Sequence, residues 1–219
     1  MTIATLQMLG EGRFNAVTLA SANAEIDRVL ADDSVSALIL RGEGKNFSQG
    51  LDLDAILSQP ETSMQVISDC MRFIGRLLSL PVPVLAAVNG HAFGLGAMLV
   101  MAADYAVMRE DRGYICLPEV DMGAPLTARM HALVGAKLST RALRDMLLTG
   151  ERLTAQRALE LAVIDGVAAA DDVETSLLAI AQPMMGKLRQ GLGALKRGLN
   201  APVLAVIEAE EDDTPSDFA

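Results

Sequence analysis

The chain of 219 residues has no tryptophan, two tyrosines and five phenylalanines, so its interior has few large rings to fill it. Leucine, valine, isoleucine, alanine and the 12 methionines must form the core, and with apolar residues at 51% that core is sizeable. There are two cysteines, Cys70 and Cys116, both in apolar surroundings. They read as buried thiols, and nothing suggests a disulfide framework, a zinc site or any other metal site. Basic residues are scarce, 18 against 28 acidic ones, for a net charge of −10. That excludes the basic stripe of a nucleic-acid groove. It does not exclude a phosphate-bearing ligand, which needs a few local cations. No apolar run reaches the roughly 18 residues of a membrane span, so no membrane partner is expected. The N-terminus lacks the basic start and apolar stretch of a signal peptide. The last residues, Ser-Asp-Phe-Ala, are not a peroxisomal address. A soluble, cytoplasmic protein is the expectation.

What is present centres on two glycine loops and one glutamate. The first loop is Lys45-Asn-Phe-Ser-Gln-Gly-Leu-Asp-Leu53, and the second is Asn89-Gly-His-Ala-Phe-Gly-Leu-Gly-Ala-Met98. Each follows a short β-branched run, 35–40 and 82–88, of the kind that forms a buried strand. Glycine just past a strand permits a tight turn that presents bare N–H groups. Glu119 follows in Leu117-Pro-Glu-Val-Asp-Met-Gly123. Two loops can aim two N–H donors at one oxygen while a carboxylate moves a proton beside it, a combination suited to enolate chemistry. Taken singly, each loop is also an ordinary strand-to-helix turn.

Along the chain, residues 2–9 alternate as an edge strand and 15–19 read as a second short strand. A helix capped near Ser21 follows. Helical periodicity runs over 63–80, with Pro81 and Pro83 ending it. Residues 94–103 read as a buried helix, 104–108 and 113–117 as short strands. Helices are expected near 127–134, 139–148 and 154–161, then a strand at 164–167. The tail reads as helices near 173–190 and 195–209. The alternation predicts an α/β domain with right-handed crossovers. It does not separate a spiral from a doubly wound sheet. The second loop lacks the third glycine of a dinucleotide fingerprint.

In these loops, and in Thr149-Gly-Glu-Arg-Leu-Thr-Ala-Gln-Arg-Ala-Leu-Glu-Leu-Ala-Val-Ile-Asp-Gly-Val167, the chain resembles the enoyl-CoA hydratase/isomerase (crotonase) superfamily. The resemblance covers about 35–167, with three motifs in the family's order and spacing. It implies a crotonase-like ββα superhelix over 1–165 and a C-terminal helical region over 166–208. An acidic, disordered tail is expected over 209–219. It also implies an acyl-CoA substrate, no cofactor beyond the coenzyme A of that substrate, and homotrimers or dimers of trimers.

By the same resemblance, the backbone N–H groups of Leu51 and Leu95 hold the thioester oxygen. Donors of this kind contribute about 3–4 kcal/mol each as charge develops. Gly50, Gly94 and Gly96 shape the loops and lie against the substrate. Ser48 and Gln49 border the adenine or pantetheine, Lys45, Lys196 and Arg197 are candidate partners for the phosphates, and Met98 faces the substrate. Glu119 matches one of the two glutamates of the hydratase pattern, but Met98 stands where the other belongs and cannot activate water. One carboxylate suits a double-bond shift, taking a proton from C2 and returning it to C4, better than hydration, which needs two. The stretch Asp104-Tyr-Ala-Val-Met-Arg-Glu-Asp-Arg-Gly-Tyr-Ile-Cys-Leu-Pro-Glu119 is similar to monofunctional Δ3,Δ2-enoyl-CoA isomerases. Pro118 is expected to hold the chain extended, with Leu117, Val120 and Met122 as a dry setting. His91 is expected to hydrogen-bond backbone, His131 and Asp121 to lie on the surface, and Asp52 and Asp54 to cap the turn after the first loop. Met64, Met71, Met98, Met101, Met122 and Met130 are expected in the core rather than in a cofactor box, some lining an acyl tunnel. The rival readings are a hydratase, hydrolase or lyase with its second carboxylate from elsewhere, and a non-catalytic acyl-CoA binder.

Overall fold

The computed structural model describes residues 2–209, so most of the acidic tail lies outside the described residues. In chain order the elements are β1 (Thr2–Gln7), β2 (Arg13–Phe14), α1 (Ala16–Ala31), β3 (Val35–Arg41), β4 (Asn46–Ser48), β5 (Gly50–Leu51), α2 (Leu53–Ser58) and α3 (Pro60–Ser79). Then come β6 (Val84–Val88), β7 (His91–Phe93), α4 (Leu95–Ala102), β8 (Tyr105–Arg109), β9 (Ile115–Cys116) and α5 (Glu119–Met122). The chain continues through α6 (Ala128–Lys137), α7 (Thr140–Thr149), α8 (Ala155–Glu160), β10 (Gly166–Ala168), α9 (Val173–Ala181), α10 (Arg189–Leu199) and α11 (Ala201–Glu208).

β1, β3, β6, β8 and β10 form a five-stranded sheet in that order, and every pairing is parallel. The strands that directly follow three of them, β4, β7 and β9, leave for a separate parallel three-stranded sheet. A strand in the large sheet, a strand in the small one, then a helix: this repeat is the ββα spiral that the resemblance implies, not a doubly wound sheet. β3 and β6 read as continuous apolar runs because both faces of the large sheet are covered. Leu38 and Leu40 face the main core, while Ala37 and Ile39 pack with Leu85, Val107, Val173 and Leu177 under α9. All eight residues of α4 are buried, which explains its apolarity all round.

Three local expectations fail. Residues 15–19 are not a strand: Asn15 caps α1, its Oδ1 accepting the N–H groups of Val17 and Thr18 while the Thr18 hydroxyl accepts the Asn15 N–H. This capping box outweighs the β-branched pair Val17–Thr18 and starts the helix five residues ahead of Ser21. The helix expected over 173–190 ends at Ala181, next to Pro183, which has no N–H to donate. The helix expected over 195–209 divides at Asn200, where Pro202 falls in the first turn of α11. The large sheet also runs past residue 165, since β10 pairs with β8.

Lys196 is corrected as well. It is 4% exposed on α10, and its Nζ donates to Asp104 and, at 3.1 Å, to Val82 O. Asp104 also accepts the Val84 N–H at 2.8 Å. Lys196 therefore ties α10 to the start of β6 and is spent on that role, out of reach of a ligand phosphate. Its neighbour Arg197 is exposed and, among the described residues, pairs with Glu208 at 3.7 Å. Lys196→Ala, which leaves Asp104 without its cation, is expected to lower the unfolding free energy by about 3 kcal/mol in urea titration. Arg197→Ala, at an exposed pair, should change it by less than about 0.5 kcal/mol.

Candidate active site

The ends of β5, β7 and β9 converge. A Cβ on Gly50 would lie 2.5 Å from Phe93 O and 3.1 Å from Leu95 N, so a side chain there would force the two loops apart. Gly50 has φ +81, where side chains are strained. The start of α4 approaches the first loop just as closely: a Cβ on Gly96 would lie 2.3 Å from Ser48 O. Leu95 is the first residue of α4, so its N–H has no acceptor within the helix. Gly94 caps α4 with no side-chain hydrogen bond, which leaves the positive end of the helix open. Just past β5, the Asp52 N–H is used on Phe14 O at 2.9 Å. Successive N–H groups of an extended strand point to opposite edges, so the Leu51 N–H turns away from β2. The two donors thus flank one gap between the loops.

Glu119 reaches this gap from β9. Gly94 N–H donates to Cys116 O at 3.0 Å, which fixes the segment after β9 beside the second loop. A Cβ on Gly94 would lie 3.2 Å from Glu119 Oε1. Glu119 Oε2 is buried and has no hydrogen-bond partner among the described residues. Burial raises the carboxyl above its ordinary pKa, opposed weakly by a backbone hydrogen bond. Pro118 is not extended here. Its φ of −84 and ψ of 7 cap the single turn α5, and that turn aims the carboxylate. The dry setting also differs from expectation: Val120 and Met122 are 48% and 53% exposed.

The dryness comes from a cavity of about 290 Å³ lined by Leu51, Leu53, Ile56, Met64, Ile67 and Phe93, with Leu126, Met130 and Met122 completing it. Gln49, Gly94, Leu95 and Thr127 also border it, and Glu119 is its one titratable lining group among the described residues. Leu51 and the methionines Met64, Met122 and Met130 are anticipated at the site or as tunnel lining, whereas Leu53, Ile56, Phe93 and Leu126 are not. Ile67 shares one face of α3 with Met64 through its three-residue spacing. Leu126, beyond the glutamate motif, carries no signal beyond being apolar.

Several predicted contacts are reassigned by position. Ser48 is fully buried, and its hydroxyl donates to Gly12 O at 2.6 Å and accepts the Gly50 N–H at 3.1 Å. It builds the first loop and cannot border a ligand. Met98 is fully buried in the core and absent from the cavity wall. Met64, Met122 and Met130 line the cavity, whereas Met71 and Met101 pack in the core. Gln49 stays at the cavity mouth, accepting from Arg13 at 3.2 Å and donating to Glu11 at 2.8 Å. Asp52 caps α2, and Asp54 is exposed and pairs with Arg13 at 3.4 Å. Asp121 is exposed beside Gly150, and His131 is exposed on α6. His91 does not bond backbone through its ring: Nδ1 is buried without a partner among the described residues, and the ring packs on Phe93 and Tyr114. Lys45 is exposed at the start of β4, at the other end of the small sheet from Glu119.

Comparison with known proteins places this geometry. The family model for enoyl-CoA hydratase/isomerase matches residues 4–212. The chain is 35% identical over 173 residues to the peroxisomal enoyl-CoA delta isomerase 1 of Arabidopsis thaliana, covering 77% of this chain and 72% of that protein. It is 33% identical over 195 residues to enoyl-CoA delta isomerase 3 of the same plant, covering 85% and 82%. The ligand-free structure of the enoyl-CoA isomerase of Mycobacterium tuberculosis superposes with a TM-score of 0.85 at 26% identity, covering 94% of this chain and 91% of that one. No helix among the described residues is long and apolar enough to cross a membrane.

Because its folded pKa is raised, Glu119 binds its proton more tightly in the native state than in the unfolded chain. Its contribution to stability is present below the unfolded pKa and is lost as pH rises through the folded one. Glu119→Gln is therefore expected to melt above wild type at pH 7, with the gap closing toward pH 4. Thermal melts at the two pH values check this.

Proposed function

We propose, for a chain that belongs to the enoyl-CoA hydratase/isomerase family, the conversion of a 3-enoyl-CoA to the trans-2-enoyl-CoA. The observation that carries this reading is a single unpaired carboxylate, Glu119, in an apolar cavity beside two free backbone donors. The substrate's thioester oxygen sits between the N–H groups of Leu51 and Leu95. Glu119, as carboxylate, takes a proton from C2. The electron pair moves into a dienolate, and the negative charge gathers on the oxygen that the two donors and the α4 N-terminus face. The same carboxyl, now protonated, returns the proton at C4, and the double bond settles between C2 and C3. Both carbons lie on one side of a flat dienolate, so one base suffices.

A raised pKa suits this work, since a base that must also act as an acid is most effective near the operating pH. The apolar walls keep water from competing for the dienolate. The lining argues against hydration: by the family pattern a methionine, Met98, takes the place of the second glutamate, and no titratable group other than Glu119 lines the cavity among the described residues. The reading needs no metal or redox cofactor, because coenzyme A arrives with the substrate. A cytoplasmic place in unsaturated fatty-acid β-oxidation and assembly as trimers belong to it too. Leu188, at the cap of α10, and Leu195 and Leu199 on it, 86%, 74% and 78% exposed, offer an apolar stripe to a neighbouring copy.

Turnover of trans-3-hexenoyl-CoA in D₂O tests the reading. Wild type is expected to form the 2-enoyl thioester with little deuterium uptake, and Glu119→Gln to lose about 10³-fold or more in kcat. A 3-hydroxyacyl product from 2-enoyl-CoA would move the assignment to hydratase. Binding of the thioester without turnover, unaffected by Glu119→Gln, would leave a non-catalytic acyl-CoA binder.

A further inference from the structure

The three strands of the small sheet run parallel, so their C-terminal ends share the Glu119 cavity and their N-terminal ends share a different rim. Lys45 precedes β4, His91 opens β7, and Arg112 and Tyr114 precede β9. The backbones meet there. The His91 N–H donates to Lys45 O at 3.0 Å, and a Cβ on Gly113 would lie 2.6 Å from the Gly90 carbonyl carbon. Arg152 joins the rim because Leu153 and Ile115 exchange both backbone hydrogen bonds at 2.9 Å. Lys45, Arg112 and Arg152 are exposed, and none has an ion-pair partner among the described residues. The nearby acids Asp111 and Glu151 are turned to Arg109 and Arg157 instead.

His91 lies among these cations. Its pKa is lowered, first by burial and then by Lys45, Arg112 and Arg152, and no carboxylate acts on it. Its ring packs 5.2 Å from Phe93 and 5.5 Å from Tyr114. With Nδ1 buried and unpartnered, Nε2 is the nitrogen left to meet a ligand. Three cations gathered around one histidine without ion-pair partners among the described residues favour a bound anion. The chain as a whole carries −10, so its surface otherwise disfavours anions.

We propose that the rim formed by Lys45, His91, Arg112 and Arg152 is a second binding site, for a phosphate-bearing anion. The two guanidinium groups engage the phosphate oxygens as forks, Lys45 adds a point charge, and His91 and Tyr114 supply neutral donors and ring faces. β7 is three residues long, roughly 7 Å, so the rim lies close behind Phe93 without entering the cavity. The phosphates have two possible sources, the coenzyme A handle of the substrate or a separate phosphorylated molecule. The first source rests on the function proposed above; the second does not.

Calorimetric titration of the full chain with inorganic pyrophosphate at low salt tests the site. Wild type should show saturable single-site binding, and Arg112→Gln/Arg152→Gln should weaken it tenfold or more with an unchanged melting temperature. Absence of saturable binding to wild type, or equal binding by both proteins, overturns the proposal. Lys45→Gln, exposed on another strand, should weaken binding independently of the arginine pair. The source is read from KM. A tenfold rise for the CoA thioester in the double variant, with none for the phosphate-free pantetheine thioester, assigns the site to the substrate's phosphates. No change in either, with pyrophosphate affinity lost, assigns it to a separate molecule. If neither thioester is turned over, the functional reading fails while the titration still decides the site.

Discussion

The contact of the Gly50 backbone with Phe93 O and Leu95 N is the constraint on which the rest of this molecule depends. Nothing larger than hydrogen fits there. The contact joins the first loop to the first turn of α4 and so sets the spacing of the two backbone donors. It also needs a rigid support. Ser48 provides part of it through Gly12 and Gly50, and the wholly buried α4 provides the rest. A loop held only by its own turn would not keep two donors within the fraction of an ångström that a developing charge rewards.

Glu119 is the local exception to good packing. An unpartnered carboxylate oxygen in an apolar cavity opposes folding, and it persists because the surroundings are over-determined. Cys116, which ends β9, is held through its carbonyl by Gly94, and Pro118 begins the single turn that carries the acid. The same desolvation that costs stability makes the group a stronger base, so the defect and the proposed chemistry have one physical origin. Met98 shows the converse. At a position beside the loops where a carboxylate would have to be buried, a methionine packs into the core at no such cost.

The C-terminal helices are held by buried polar links as well as by apolar packing. Lys196 reaches Asp104 and Val82, and Asn200 donates to Leu78 O at 3.0 Å. A lysine near a predicted ligand looks the same in sequence whether it faces solvent or a buried aspartate. The long separation of Lys196 from Asp104 put that distinction beyond local pattern. Ser48 was ambiguous in the same way, because a hydroxyl in a loop can serve a ligand or a carbonyl 36 residues away.

The sequence by itself determined the elements whose cause is local: the buried runs of β3 and β6, the apolar α4, and the glycines that must bend after each strand. With the motif order, it also identified the family and singled out Glu119. It misread the start of α1 because Asn15-Ala-Val-Thr18 suits a short β-branched strand as well as a capping box, and the reciprocal bonds of Asn15 and Thr18 decide for the helix. The tertiary structure alone decided the rest. Whether the second strand of each repeat joins the large sheet or leaves it depends on pairing between distant segments. Which of Met64, Met98 and Met130 faces the cavity depends on how α3, α4 and α6 pack together. Burial of Lys196 and convergence of Lys45, Arg112 and Arg152 on one rim follow from the same cause. They are set by contacts between residues far apart in the chain, which local pattern does not record.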